Sequence, residues 1–112
     1  MTIEAGQIYF IHKSVHLGKA DYGRPCLVLR VSQHDATVCY FSTKMEYLES
    51  GQVAIYASDP DFKATGLHDS SRIFGAFTPD VPLDYFQGAK LLGHATSEFK
   101  KRVENWYGMP LN

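Results

Sequence analysis

The chain has 112 residues, of which 45% are hydrophobic and 21% charged, and its formal net charge is −1. This length and composition are typical of a globular protein with one hydrophobic core, so we expect a single domain over residues 1–112. The small net charge argues against a protein that coats nucleic acid through its overall electrostatic field. No apolar run approaches the roughly 18 residues that span a bilayer, so we expect no membrane partner.

The first residues, MTIEAGQIYF, contain neither a basic region nor a long apolar run. We therefore expect no signal peptide and a cytoplasmic location. In that compartment the two cysteines, Cys26 and Cys39, are expected to be reduced, buried thiols, and a cross-strand disulfide is the alternative.

The charges are unevenly distributed along the chain. Residues 1–44 carry five basic and three acidic side chains, whereas residues 45–86 carry two basic and seven acidic ones. This asymmetry allows a basic patch in the N-terminal half that holds a short stretch of phosphates. Scattered charge on a solvated surface is the alternative interpretation.

Six runs rich in β-branched and aromatic residues, separated by turn residues, predict short strands. Strands at this spacing indicate a mainly β protein, a small barrel or sandwich. The predicted strands are residues 6–13, 25–32, 37–43, 51–58, 71–78 and 89–95.

The C-terminal segment TSEFKKRVENWYG predicts a helix instead. Thr96 is placed to cap its N-terminus, and Gly108 to end it. Between them Phe99, Val103 and Trp106 recur at helical spacing and form one apolar stripe, which we expect to pack in the core or in a dimer. The segment PDVPLDYF is expected to add a short helical turn.

The segment HKSVHLGKADYGRP places His12 and His16 four residues apart, a spacing that lets two imidazoles share a metal on a helix. Here, however, His12 ends a predicted strand, and no third ligand has a suitable spacing. A metal site is therefore disfavoured, and no cofactor is expected. Glycine-rich phosphate loops, Gly-x-Ser-x-Gly and Cys-x-x-Cys are also absent from the sequence.

The order of motifs resembles the MazF/PemK (Kid-like) toxins of bacterial type II toxin–antitoxin systems. A first strand GQIYFIH leads through a polar loop to GRPCLVL, and a third strand TVCYFST ends in hydroxyl residues. The segments ATGLHDSSRIF and KLLGHATSEFKKRVENWYG follow. The resemblance covers about residues 5–108.

This resemblance implies an SH3-like, CcdB-like antiparallel β-barrel with a C-terminal α-helix. It also implies a homodimer that cleaves single-stranded RNA without a metal and is inhibited by a cognate antitoxin protein. A second hypothesis keeps the same barrel but assigns it a binding role, either as a catalytically weakened relative or as a CcdB-like protein that acts on a protein target such as gyrase.

Roles carry over from the family residue by residue. Arg24 matches the arginine of the family's Arg-Pro motif and would bind the phosphate, while an ion pair with Asp21 is its alternative role. The family's catalytic hydroxyl falls on Ser42, which fits the spacing, or on Thr43, which fits the residue type.

Two departures from the family pattern leave the proton-transfer pair unassigned. Lys19 stands where many relatives carry a glutamate. In the Kid-type branch of the family an Arg-x-Asp pair after the Thr-Gly segment supplies acid–base chemistry, whereas here Arg72 is near that place and is followed by Ile73, Phe74 and Gly75. His16 is the substitute acid or base, because histidine titrates near neutral pH, and a plain surface position is its alternative. Tyr22, Phe41 and Tyr47 are aromatic candidates for base stacking, and packing in the core of the barrel is the alternative for them. The side chains expected to bind RNA are Lys13, Lys19, Tyr22, Lys44 and Arg72.

Overall fold

The structure of the protein is a computed structural model that describes residues 2–12, 23–74 and 77–111. Within these ranges the chain forms seven β-strands and two α-helices, with two short 3-10 helices at Met45–Tyr47 and Leu83–Phe86. The strands and helices are β1 (Gln7–Ile11), β2 (Arg24–Val31), β3 (Asp35–Ser42), β4 (Ala54–Ile55), α1 (Phe62–Thr65), β5 (Ser71–Ile73), β6 (Asp80–Pro82), β7 (Lys90–His94) and α2 (Ser97–Tyr107).

The strands form an antiparallel sheet with the order β4-β5-β3-β2-β1-β7, and β6 pairs with β3. The register shifts once within the β1–β7 pair and once within the β2–β3 pair. Such irregularities bend a strand and increase its twist, and the sheet curls into a half-barrel. The mainly β fold with a C-terminal helix is therefore confirmed.

The central strands are covered on both faces. Leu27, Val28 and Leu29 of β2 are each fully buried, although successive side chains of a strand point to opposite faces. One face packs against Phe99 and Val103 of α2, and the other forms a second cluster around Val28. This double burial explains why the strand reads as a continuous apolar run and not as an alternating one.

The two cysteines lie on these opposite faces. Cys26 stands opposite Tyr40 and Cys39 opposite Leu27, and each thiol belongs to a different core cluster. Both are free and buried, so the expected reduced thiols are confirmed and the cross-strand disulfide is excluded by the geometry. Burial raises the pKa of the Cys26 thiol to about 12 and also raises the pKa of Cys39.

Helix α2 runs as expected, but its cap differs from the prediction. The Thr96 side chain makes no capping bond to the helix and instead donates to Asp61 Oδ1 at 3.2 Å. Asp61 Oδ2 accepts the Phe99 N–H at 3.1 Å, so a carboxylate distant in sequence satisfies the helix N-terminus. At the other end Gly108 adopts φ 87° and closes the helix, as predicted.

Several predicted strands are shorter in the structure. The fourth is reduced to Ala54–Ile55, because a turn follows in which the Tyr56 N–H donates to Asp59 Oδ2 at 2.8 Å. The fifth is reduced to Ser71–Ile73. Strand β6 and helix α1 are not predicted by the sequence pattern, whereas the expected helical turn is present at Leu83–Phe86.

No helix in the described part of the chain is both long enough and apolar enough to cross a membrane.

Candidate functional site

A cleft of about 550 Å³ opens where β2 begins and β3 ends. We call it the cationic cleft. It is lined by Gly23, Arg24, Pro25, Phe41, Ser42, Thr43, Lys44, Tyr47, Ser71, Arg72 and Phe74.

The strand register explains why the polar side chains meet there. Ser42, the last residue of β3, stands directly opposite Arg72 of β5. On the other side of β3 the register pairs Cys26 with Tyr40, and its continuation brings Arg24 level with Ser42. Residues opposite each other in antiparallel strands share a face. The central serine is therefore flanked by an arginine from each neighbouring strand.

Gly23 fixes the entry of Arg24 into this cleft. A Cβ atom at Gly23 would lie 2.6 Å from Cζ of Phe10, so a larger residue there would have to displace the Phe10 ring. The strand β1 residue Ile11 then pairs with Arg24. Glycine immediately before the arginine thus lets the Phe10 ring approach the backbone closely.

Arg24 is half-buried and has few hydrogen-bond partners among the described residues. Its Nη1 donates to the carbonyl oxygen of Phe41 at 3.4 Å, and its guanidinium carbon lies 5.4 Å from the centre of the Phe74 ring. Its buried Nε has no hydrogen-bond partner among the described residues. Among the described residues, most of the donor capacity of this guanidinium thus has no acceptor.

Arg72 is held more firmly. It is 8% exposed, and its Nε donates to the carbonyl oxygen of Lys44 at 2.9 Å. Its guanidinium carbon lies 5.3 Å from the centre of the Phe74 ring and 5.9 Å from that of Tyr47. Phe74 therefore contacts both arginines of the cleft.

The cleft has an electrostatic consequence that follows from its residue types. Arg24, Lys44 and Arg72 line it, and none of its described lining residues is acidic. Within the described ranges the single ion pair is that of Arg102 with Asp59, at 3.7 Å and outside the cleft. Two partly or fully buried guanidinium groups without a carboxylate among the described lining residues favour an anionic ligand, since a buried charge needs a partner.

The two candidate hydroxyl groups differ in exposure. Ser42 is 7% exposed, and its Oγ accepts the Lys44 N–H at 3.2 Å. Thr43 is exposed at the cleft. The Ser42 hydroxyl is therefore oriented by the backbone, and the Thr43 hydroxyl is open to a ligand.

The structure thus brings five of the expected site residues to one cleft: Arg24, Ser42, Thr43, Lys44 and Arg72. Their roles stay predictions. The other four, Lys13, His16, Lys19 and Tyr22, lie outside the described residues, as does Asp21, the alternative partner of Arg24.

The aromatic residues proposed for base stacking differ in their exposure to solvent. Tyr47 is 60% exposed at the cleft and stays a candidate for base stacking. For Phe41 the alternative, core packing, is confirmed, because its side chain is 2% exposed and packs in the core with Phe99. Sequence reasoning misses Phe74. The sequence signal that could have identified Phe74 as a cleft residue is its position two residues after Arg72. This spacing places both side chains on one face of an extended segment.

A second, adjoining cleft of about 360 Å³ shares Pro25, Thr43 and Ser71 with the first. We call it the histidine cleft. Its other described lining residues are Phe10, Gly66, Leu67, His68, Asp69, Lys90 and Leu92.

Among the described residues no group of three histidine, cysteine, aspartate or glutamate side chains is arranged to hold a metal ion. His12 is exposed just after β1, and its ring meets that of Phe10 edge-on with centres 5.6 Å apart. Its predicted partner His16 lies outside the described ranges.

Neither a family model nor a curated protein matches the chain. Among solved structures, the MazF fold in the crystal structure of MazE-MazF (Form-II) from Deinococcus radiodurans is similar, with a TM-score of 0.68 and 16% sequence identity. The likeness covers 96% of this chain and 93% of that one. At this identity it shows a shared fold, and the fold implied by the sequence resemblance is confirmed.

Proposed function

We propose that the protein is the toxin of a toxin–antitoxin system and acts as a metal-independent endoribonuclease on single-stranded RNA. The observation that carries this proposal is the cationic cleft, in which two arginines and a lysine surround two hydroxyl groups without an acidic lining residue among those described. This combination suits a phosphodiester group, which is anionic and accepts hydrogen bonds from several directions.

The reaction that fits these residues is an internal transfer. The ribose 2′-oxygen forms a bond to phosphorus while the bond from phosphorus to the 5′-oxygen breaks, which yields a 2′,3′-cyclic phosphate and a 5′-hydroxyl. The 2′-hydroxyl gives its proton to a base, and an acid supplies a proton to the leaving oxygen. Negative charge on the equatorial oxygens grows in the transition state.

Each cleft residue has a role in this scheme. Arg24 and Arg72 would bind the equatorial oxygens, and both are permanently charged, so they stabilise the transition state over a wide pH range. Ser42 or Thr43 would donate to a phosphate oxygen and fix its orientation. Tyr47, which is exposed beside Arg72, would stack on a neighbouring base.

The shared fold supports the partner side of the proposal. The similar structure is a complex of MazF with MazE. We extend this to the present chain as a cognate antitoxin partner. The proposed homodimeric state and cytoplasmic location come from the sequence resemblance instead. Single-stranded RNA suits a shallow cleft, because unpaired bases are free to splay and stack.

Digestion of single-stranded RNA in the presence of EDTA tests the proposal. Wild-type protein is expected to cut the RNA and leave 2′,3′-cyclic phosphate ends, and Arg24→Ala is expected to cut roughly 10²–10³-fold more slowly, as for loss of one transition-state donor. Arg30→Ala is the matched control, because Arg30 is exposed on the same strand. Equal loss in the two variants would contradict a role for Arg24 in the site.

One observation favours a second function. The described lining of the cationic cleft contains no histidine or carboxylate, so proton transfer is not complete within it. A weakened enzyme or a CcdB-like protein that binds a target such as gyrase would have this composition. Growth arrest on expression without any RNA cleavage by the purified protein would favour this function over the nuclease.

A further inference from the structure

The proposed reaction needs two proton-transfer groups, and the cationic cleft supplies neither among its described residues. Lysine and arginine side chains stay protonated at neutral pH, and serine and threonine hydroxyls stay neutral. Of the described residues that line either cleft, His68 is the single histidine. It is therefore the described lining side chain of the type that most often transfers protons in enzymes.

The cleft that His68 lines adjoins the cleft in which the phosphate is proposed to bind. Thr43 and Ser71 line both clefts, so the histidine cleft and the cationic cleft share a wall. A phosphate between Arg24 and Arg72 at Ser42 and Thr43 would thus have the histidine cleft on one flank. His68 is exposed, so a nucleotide at this flank can reach its imidazole.

The backbone around His68 is held at several points. The Leu67 N–H donates to Thr65 Oγ1 at 3.1 Å, and Ser71 Oγ donates to the carbonyl oxygen of Asp69 at 2.9 Å. The Ala57 N–H donates to Ser70 Oγ at 2.8 Å. Bonds on both sides of His68 thus fix the segment that carries it, as a proton-transfer group requires.

Close contact with β7 fixes the same segment from another side. A Cβ atom at Gly66 would collide with the carbonyl oxygen of Leu92, and one at Gly93 would collide with that of Ala64. The two backbones therefore meet without intervening side chains. This contact sets the distance between the His68 segment and the strand that forms the opposite wall of its cleft.

We infer that His68 carries one of the two proton transfers of the reaction, a role that rests on the proposed nuclease function. In an in-line displacement the attacking and leaving oxygens lie on opposite sides of phosphorus. One histidine on one flank can therefore serve one of them. As base it takes the 2′-hydroxyl proton, and as acid it protonates the leaving 5′-oxygen.

The charged groups that line the histidine cleft with His68 are Asp69 on its own segment and Lys90 on β7. These are the described charged groups that a nucleotide in the histidine cleft would meet beside the imidazole.

The test compares His68→Asn with wild-type protein in RNA cleavage across about pH 5–9. We expect kcat to fall roughly 10²–10⁴-fold, the usual contribution of a positioned acid or base, with KM changed less than about threefold. One limb of the pH–rate profile should disappear. Added imidazole should restore part of the activity of His68→Ala and none of that of Arg24→Ala.

His34→Asn is the control, because His34 is an exposed histidine in the turn between β2 and β3. A His68→Asn variant with wild-type kcat and both limbs of the profile would overturn the inference while the nuclease function stood. A wild-type protein that cuts no RNA would instead overturn the proposed function and this inference together. Circular dichroism on each variant separates loss of folding from loss of chemistry.

Discussion

The two arginines of the cationic cleft meet one aromatic ring but are held differently. Arg72 is almost fully buried and bonded through Nε to a main-chain carbonyl, whereas Arg24 is half-buried with a long bond to the Phe41 carbonyl. A cation over an aromatic face gains about 0.5–2 kcal/mol, far less than a buried charge loses on leaving water. Both guanidinium groups therefore stay receptive to an anion, Arg24 the more so.

The sequence identifies these two residues through different signals. Arg24 follows from its position in Gly-Arg-Pro before an apolar strand, and Arg72 from the TGL segment upstream. Neither signal contains their distance, which depends on the pairing of Ser42 with Arg72 across β3 and β5. Phe74 is not predicted to line the cleft, because an aromatic residue in this sequence context is expected to pack in the core.

The buried thiols give a pH dependence of stability. Burial raises the pKa of Cys26 from the ordinary 9.0 to about 12, so the folded protein keeps a proton that the unfolded chain loses above pH 9.0. The stabilisation is complete below pH 9.0 and is lost as pH rises toward 12. We expect the free energy of unfolding to fall by about 1.4 kcal/mol per pH unit from this thiol alone.

Urea unfolding between about pH 8 and pH 10.5 checks this prediction. Cys26→Ala should show a slope shallower by about 1.4 kcal/mol per pH unit above pH 9, because one titrating group is absent. Gln33→Ala, which alters an exposed turn residue without a titrating group, should leave the slope unchanged. Identical slopes for wild type and Cys26→Ala would contradict the assignment.

At the scale of elements, strands with continuous apolar character are the most predictable. Strands β2 and β3 match the predicted runs within two residues at each end, because both faces are buried and their composition is unambiguous. The cap of α2 is not predictable in this way, since Asp61 is 38 positions from the Phe99 N–H that it accepts. The local sequence favours Thr96 as the N-cap of α2, but the carboxylate of Asp61, which is distant in sequence, accepts the hydrogen bond instead.

Strand β6 and helix α1 escape prediction for a related reason. Strand β6 has three residues and exists through its pairing with β3, and α1 has four residues that end at Gly66. Elements this short have too few residues to display a period. Their formation depends on contacts that only the folded chain provides.

The contact of Gly66 and Gly93 with the facing backbones couples α1 to β7 and yields a prediction. Gly93→Ala places a methyl group against the Ala64 carbonyl, which a main chain can relieve only by moving. We expect a loss of about 1–3 kcal/mol, or a fall in Tm of roughly 5–15 °C. Because the His68 segment follows α1 directly, RNA cleavage should fall as well.

Thermal unfolding of Gly93→Ala beside Gly88→Ala tests this coupling. Gly88 has φ 75° but no atom within 4 Å of the position that a Cβ would take, so its substitution carries the backbone penalty alone, about 1–2 kcal/mol. Gly88→Ala should leave RNA cleavage intact. Loss of cleavage in both variants, or in neither, would contradict a specific link between β7 and the histidine cleft.

At the scale of the whole molecule, the net charge is small, but basic side chains are clustered locally. The net charge is −1, yet three cations meet at one cleft whose described lining contains no acid. The net charge is therefore a poor guide to whether the protein binds an anionic ligand, and the position of the basic side chains in the cationic cleft is a better one. The charge asymmetry between residues 1–44 and 45–86 is a partial guide, because Arg72 comes from the acidic segment.

Salt dependence of RNA binding measures this local charge. Each phosphate neutralised on a single strand contributes about −0.7 to the slope of log K against log salt concentration, so Lys44→Ala should make the slope shallower by about that amount. A 2′-deoxy oligonucleotide, which lacks the attacking hydroxyl, allows equilibrium measurement. Lys101→Ala, on the exposed face of α2, should leave the slope unchanged, and an equal change in both would contradict a localised site.

The buried bond from Arg72 Nε to the Lys44 carbonyl has a consequence for observing the site directly. Guanidinium protons exposed to water exchange rapidly, and we expect the Arg72 Nε proton to exchange more slowly, because it is held in a 2.9 Å bond on a residue that is 8% exposed. Arg72 should therefore give its own resonance in nitrogen-15 spectra, at the wall of the cleft and without any attached probe. A shift of this Arg72 resonance would therefore report the binding of an anion in the cationic cleft.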